Sequence, residues 1–270
     1  MALKDVLKKY KPLDTGLSKE RMDVFQQGLD AISVKHLTKA FGDMKALDDL
    51  SISFPKSLVT GLIGPSGAGK STLINLITGA LKPDDGLIAL NGQAYSFIEP
   101  YRMREFKVAR TFQNGRVIGR LSVEDNLLLA VAKNNVWQGL KEFETEPYKK
   151  KLEGILIKTG LKEYRRKKAA ELSVELKKML DIGRALMQDA DIYIFDEPFT
   201  GISSKMLEDV LSAVDILRVE AKTVILIEHN MSLIEKLSDY LIVLDHGKVL
   251  ADGAPKDVLK NKRVRDALKM

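Results

Sequence analysis

The 270-residue sequence contains no cysteine, which excludes disulfides, thiolate metal sites and thiol nucleophiles while leaving the redox compartment open. It has no apolar run near the roughly 18 residues that span a bilayer. The first ten residues carry Asp5 among their lysines and lack an apolar core, so they do not read as a secretory signal. Neither sign of charge is strongly in excess. A net charge of +6 suits an anionic ligand or a membrane-surface partner and is too diffuse to argue for nucleic acid. Internal repeats and low-complexity linkers are absent as well. What remains is 45% hydrophobic and 30% charged residues, the composition of a soluble intracellular globular protein, at a length that allows one domain or two.

What is present is a phosphate-binding loop. Gly64, Pro65, Ser66, Gly67, Ala68, Gly69, Lys70 and Ser71 follow the pattern G-x-x-x-x-G-K-[ST]. An apolar, strand-like Leu58–Ile63 precedes it, and a helical pattern begins at Thr72. Glycines at these positions open backbone angles that let consecutive N–H groups converge on phosphate oxygens. The helix that follows aims its N-terminus at the same anion. Lys70 supplies a point charge for the outer phosphates, and Ser71 a hydroxyl for Mg²⁺.

The rest of the chain predicts an α/β fold. Residues 1–30 form an expected helical extension: Leu3, Val6, Leu7 and Tyr10 share one helical face, and Ser18 opens a second stretch carrying Met22, Phe25 and Leu29. This extension packs on the body or docks a partner or lipid surface. Strand patterns follow at Ile32–Leu37 and Leu50–Phe54, with a tight turn at Asn91-Gly92. Residues 122–185 read as almost wholly helical. Between Lys141 and Lys178 lie 12 Lys/Arg against 7 Asp/Glu, the mark of a solvated helix face. Ile192–Phe195, Thr223–Ile227 and a hairpin through Asp245-His246-Gly247 suit strands buried on both faces, and residues 255–270 a helix or two. His36 reads as a strand-face histidine and His246 as a hairpin-tip one.

The run Ile192–Phe195 ends in two acids, Asp196 and Glu197. A buried strand ending in Asp196 would put a hard oxygen near the Mg²⁺ held by Ser71. Alternation along the strand would turn Glu197 elsewhere, toward a water attacking the γ-phosphate.

In this order the motifs resemble the nucleotide-binding subunit of an ABC transporter, over about residues 31–270. The resemblance implies a P-loop NTPase core with a mainly parallel sheet, an antiparallel β part, an inserted helical subdomain at about 117–185 and a helical end at about 255–270. It further implies Phe41 against adenine, Gln113 as the glutamine that senses the metal and nucleotide, Asp196 as a metal ligand, Glu197 as general base and His229 as the γ-phosphate switch. Arg110-Thr-Phe-Gln113, Val123–Leu129, Ile227–Asn230 and Val258–Val264 are similar to the branched-chain amino-acid importer branch. Implied with it are MgATP, transmembrane permease subunits, a second ATP-binding subunit, and a place on the inner face of the cell membrane. A soluble cassette without a membrane partner and a non-hydrolysing scaffold are the alternatives.

The chain departs from the family at the signature segment. Where the family has Leu-Ser-Gly-Gly-Gln or Leu-Ser-Tyr-Gly-Gln, this sequence has Leu172, Ser173, Val174, Glu175 and Leu176, followed in register by Arg184-Ala-Leu186. The family presents this segment to nucleotide bound on the partner subunit. At ~5 Å and an effective dielectric of about 20, a Glu175 carboxylate facing phosphate would cost roughly 3 kcal/mol per charge pair. Such a segment predicts a heterodimer in which the partner supplies an intact signature. After Gly201-Ile, Ser203 also stands where the family has an acid or amide.

Overall fold

The computed structural model describes residues 30–112, 116–131 and 145–270. The expected N-terminal helices and Gln113 lie outside these residues. The chain divides into two compact units, one helical (109–190 and 195–216) and one built on sheets (the described residues up to 108, then 191–194 and 217–270).

In the sheet unit, β1 (Asp30–Phe41) pairs antiparallel with β2 (Met44–Pro55) and with β4 (Asp85–Leu90), and β5 (Gln93–Tyr95) closes a four-stranded sheet in the order β2-β1-β4-β5. Asn91 and Gly92 make the β4–β5 turn with φ of 49° and 83°, the positive pair that a two-residue turn matching strand twist requires. β1 and β2 extend several residues beyond the expected strands. Cross-strand pairing carries β1 through a bulge at His36, where the periodicity breaks. His36 therefore does not lie on a regular strand face: its φ is 53°, and its exposed ring meets Asp49 at 2.8 Å.

The second sheet runs β10-β9-β3-β8-β7-β6, with β3 at Val59–Ile63, β6 at Val108–Arg110, β7 at Ile192–Asp196, β8 at Thr223–Ile227, β9 at Tyr240–Asp245 and β10 at Lys248–Gly253. β3 is parallel to both β8 and β9. Every residue of β3, β7 and β8 is buried, which explains their largely apolar sequences: a strand covered on both faces has no side to give to water. The core of this unit joins Ile32, Leu37 and Phe54 to Leu62, Leu73, Ile74, Ile225 and Leu244. The end of the chain forms two short helices, Pro255–Val258 and Lys262–Leu268.

The helical unit holds α2 (Val123–Leu129), α3 (Glu146–Lys158), α4 (Val174–Met187) and most of α5 (Ser204–Val219), α1 being the helix Lys70–Ile77 of the sheet unit. Among the described residues, those between 122 and 185 are less helical than expected. Gly160, at φ 65°, stops α3, and the segment up to Ser173 crosses the unit as loop with two short 3₁₀ turns. Periodicity alone misreads this stretch because its many lysines and arginines are strong helix formers wherever they stand. Ser122 and Asp125 form a reciprocal cap on α2, and Arg165 bridges Glu124 and Glu153. Gly183 lets α4 close on its neighbours, since a Cβ there would sit 3.0 Å from Leu127 and 3.3 Å from Ile155.

Candidate nucleotide site

The phosphate loop leaves the C-terminal end of β3 and enters α1 (Lys70–Ile77). Two of its glycines are required by space as well as angle. Gly64 has φ 154°, and a Cβ would lie 2.1 Å from the carbonyl oxygen of Leu244; Gly69 has φ 99°, and a Cβ would lie 2.6 Å from that of Ala46. The loop is thus moulded against β9 on one side and β2 on the other. Lys70 is 7% exposed, and its ammonium donates to the carbonyls of Gly64 at 2.7 Å and Pro65 at 3.0 Å. The charge is folded back over the loop itself. Ser66, Gly67 and Ser71 are exposed at its mouth, and Thr72 is half-buried. The first turn of α1 has no acidic residue and no side-chain cap, which suits an anion at this helix N-terminus.

Two further expected residues, His229 and Phe41, stand at strand ends of the same unit. Leu62 of β3 pairs with Ile227 of β8, so both strands finish together, and β8 leads through buried Glu228 to exposed His229. Glu228 turns its carboxylate onto the N–H of His229 at 3.2 Å. Phe41 closes β1 opposite Met44, on the hairpin whose residue Ala46 touches Gly69. Its ring is 46% exposed, an aromatic face open to a planar partner, with the Lys39 ammonium 5.8 Å from its centroid.

Asp196 and Glu197 belong to the helical unit. Asp196 ends β7; its N–H donates to the Thr111 hydroxyl at 3.1 Å, and its carboxylate meets Arg110 at 3.3 Å, both side chains under 10% exposed. Burial lowers the pKa of Arg110 despite the carboxylate opposite it. Glu197 corrects the expectation from strand alternation. β7 has already ended, and Glu197 sits at φ 50° ahead of Pro198, so a left-handed backbone sets its direction. The Lys178 ammonium donates to the Glu197 carbonyl at 2.7 Å. Asp181, on the same helix, accepts from the Phe112 N–H at 2.8 Å, and burial raises its pKa.

Ser173 is the N-cap of α4, its hydroxyl accepting from the Leu176 N–H at 3.2 Å. Val174 is 83% exposed, and the Glu175 carboxylate accepts from the backbone N–H of Ser203. Sequence reasoning did not single out Thr111, Lys178 or Asp181. The spacing of Lys178, three residues after Glu175 and so on the same helical face, was the one available signal.

Residues 47–200 match the family described as ABC transporter. The chain belongs to the ABC transporter family. It is an ATP-binding cassette by fold as well. A crystal structure of a nucleotide-free ATP-binding cassette from an ABC transporter superposes with a TM-score of 0.76 at 31% identity, over 90% of this chain and 99% of that one. Among curated ABC transporter proteins, the probable branched-chain amino acid transport ATP-binding protein LivG of Methanocaldococcus jannaschii is 33% identical over 243 residues, 86% of this chain and 93% of its own. The high-affinity branched-chain amino acid transport ATP-binding protein BraF of Pseudomonas aeruginosa is 32% identical over 244 residues, 86% and 95% of the two chains.

Proposed function

We propose that this chain is the ATP-binding and hydrolysing subunit of a membrane importer of the branched-chain amino-acid type. The observation that carries the reading is the loop Gly64–Ser71, pressed between β2 and β9 with Lys70 curled over it, beside a strand end leading to His229. The names of the curated relatives support the substrate class. Phe41 stacks on adenine. Backbone N–H groups of the loop and of the first turn of α1, together with the Lys70 ammonium, hold the phosphates. In this reading the Ser71 hydroxyl, the Asp196 carboxylate and Gln113 would hold Mg²⁺, which takes hard oxygen donors, and the metal would neutralise charge developing on the phosphates. Glu197 takes the proton from the attacking water, and His229 meets the γ-phosphate.

Residues 31–270 are the cassette in this reading, and residues 1–30 an extension that docks a partner or the membrane surface. Among the described residues no helix is long and apolar enough to cross a membrane, so the cargo path would come from transmembrane permease subunits, with this chain bound at their cytoplasmic face. The altered segment Ser173-Val174-Glu175 favours a heterodimer, with a second ATP-binding subunit presenting an intact signature.

Affinity capture of the full chain from membranes, followed by an ATPase assay, tests this. Permease subunits and a second cassette should co-purify, and Glu197→Gln should keep ATP affinity while losing about 10²–10⁴ in turnover. Capture of the chain alone, with undiminished turnover by Glu197→Gln, would overturn the proposal.

A further inference from the structure

The helix that begins at the signature segment is already engaged on its own chain. Lys178 donates to the carbonyls of both Glu197, at 2.7 Å, and Thr200, at 2.5 Å. The Thr200 N–H returns to the Glu197 carbonyl at 3.3 Å, closing a tight turn around the ammonium. One helical turn earlier, the Glu175 carboxylate accepts from the Ser203 N–H. Residues 175 and 178 lie on one face of α4, and between them they fasten both ends of the segment 197–203.

The segment needs fastening. Glu197 holds φ 50°, a region costly for any residue with a Cβ, and the proline after it narrows the backbone further. A strained backbone persists only where its surroundings over-determine it. The Glu197 carbonyl defines the peptide plane that follows this residue, and therefore where its side chain leaves the backbone. Lys178 grips that atom.

We propose that Lys178 and Glu175 act in cis as positioning residues that hold the 197–203 turn and so aim the Glu197 carboxylate. This rests on the reading of Glu197 as the general base. Val174 and Glu175 are then a change of duty as well as a loss. The Glu175 carboxylate is spent on Ser203 of its own chain, and restoring glycine there would loosen the turn.

The test uses the full chain in its purified membrane complex with MgATP, measuring kcat, KM, ATP affinity and thermal unfolding. Lys178→Met should lower kcat about 10- to 100-fold, the range expected for a misplaced catalytic group, with ATP affinity and melting unchanged. Lys178→Arg should restore most of the rate, because a guanidinium can still reach two carbonyls. Glu175→Gly should lower kcat and Glu175→Gln recover it, since an amide oxygen still accepts from Ser203. With Glu197→Gln already in place, Lys178→Met should cost nothing further, which a merely structural lysine would not predict. Wild-type turnover by Lys178→Met beside an inactive Glu197→Gln overturns the proposal alone, as does an equal proportional loss in both backgrounds. Full turnover by Glu197→Gln overturns the base assignment and this proposal with it.

Discussion

Asn126 is fully buried in α2, and its side chain organises the loop before that helix. Its Oδ1 accepts from the Ile118 N–H at 2.8 Å, while Nδ2 donates toward the carbonyls of Ile118 at 3.1 Å, Leu121 at 3.4 Å and Ser122 at 2.9 Å. Replacing it with Ala does not orphan all four groups. The Ile118 carbonyl keeps the Leu121 N–H, the Leu121 carbonyl keeps the Ala169 N–H, and the Ser122 carbonyl keeps the N–H of residue 126 itself. Only the Ile118 N–H loses the partner it has here. One orphaned amide costs about 1–3 kcal/mol, and the small cavity adds about 1 kcal/mol more. Asn126→Ala should therefore destabilise the helical unit by about 2–4 kcal/mol. At a urea slope of about 2–3 kcal/mol per molar, the midpoint read by far-UV circular dichroism falls by about 1 M. Asn126→Asp separates the terms: it keeps the acceptor for Ile118 but turns a carboxylate onto three carbonyls, so it should be far less stable at neutral pH than in mild acid. A midpoint within 0.3 M (about 0.6–0.9 kcal/mol) of wild type for Asn126→Ala would refute the accounting.

Two other substitutions probe the loop and the buried acid. Gly64→Ala drives a Cβ into the Leu244 carbonyl and should abolish ATP binding in a nucleotide titration while leaving the helical unit's thermal transition in place; retained affinity would show that β9 can yield. Asp181 has its pKa raised by burial, so the folded state binds its proton more tightly than the unfolded chain, and stability falls as pH climbs through the raised value. Asp181→Asn, which keeps an acceptor for Phe112, should flatten that decline in urea melts as pH rises above the ordinary carboxylate range, and an unchanged slope counts against the assignment.

The phosphate loop, the buried strands and the acid pair were legible because each is local: a fixed spacing of glycines, or an unbroken apolar run ending in carboxylates. Thr223–Ile227 forms the strand expected of it, as does the turn at Asn91-Gly92. The bulge at His36 was not legible, because cross-strand register sets it. The segment between Gly160 and Ser173 escaped for a similar reason: helix-forming composition there yields to capping and ion pairs that tie it to α2 and α3. At the site, sequence reasoning named Glu197 but derived its direction from a strand that stops one residue too soon. The partners of Glu175 and Lys178 lie 28 and 19 or more residues away, beyond any local pattern.

The left-handed backbone at Glu197 has a consequence for anyone who engineers this protein. Glycine would occupy that conformation without the roughly 1–2 kcal/mol that a side chain incurs. A library sorted for heat resistance should thus enrich replacements at position 197, and one sorted for turnover should reject those same replacements. The two selections rank this residue in opposite order, which makes their disagreement at a single codon a way to find where a cassette keeps its chemistry at the expense of its fold.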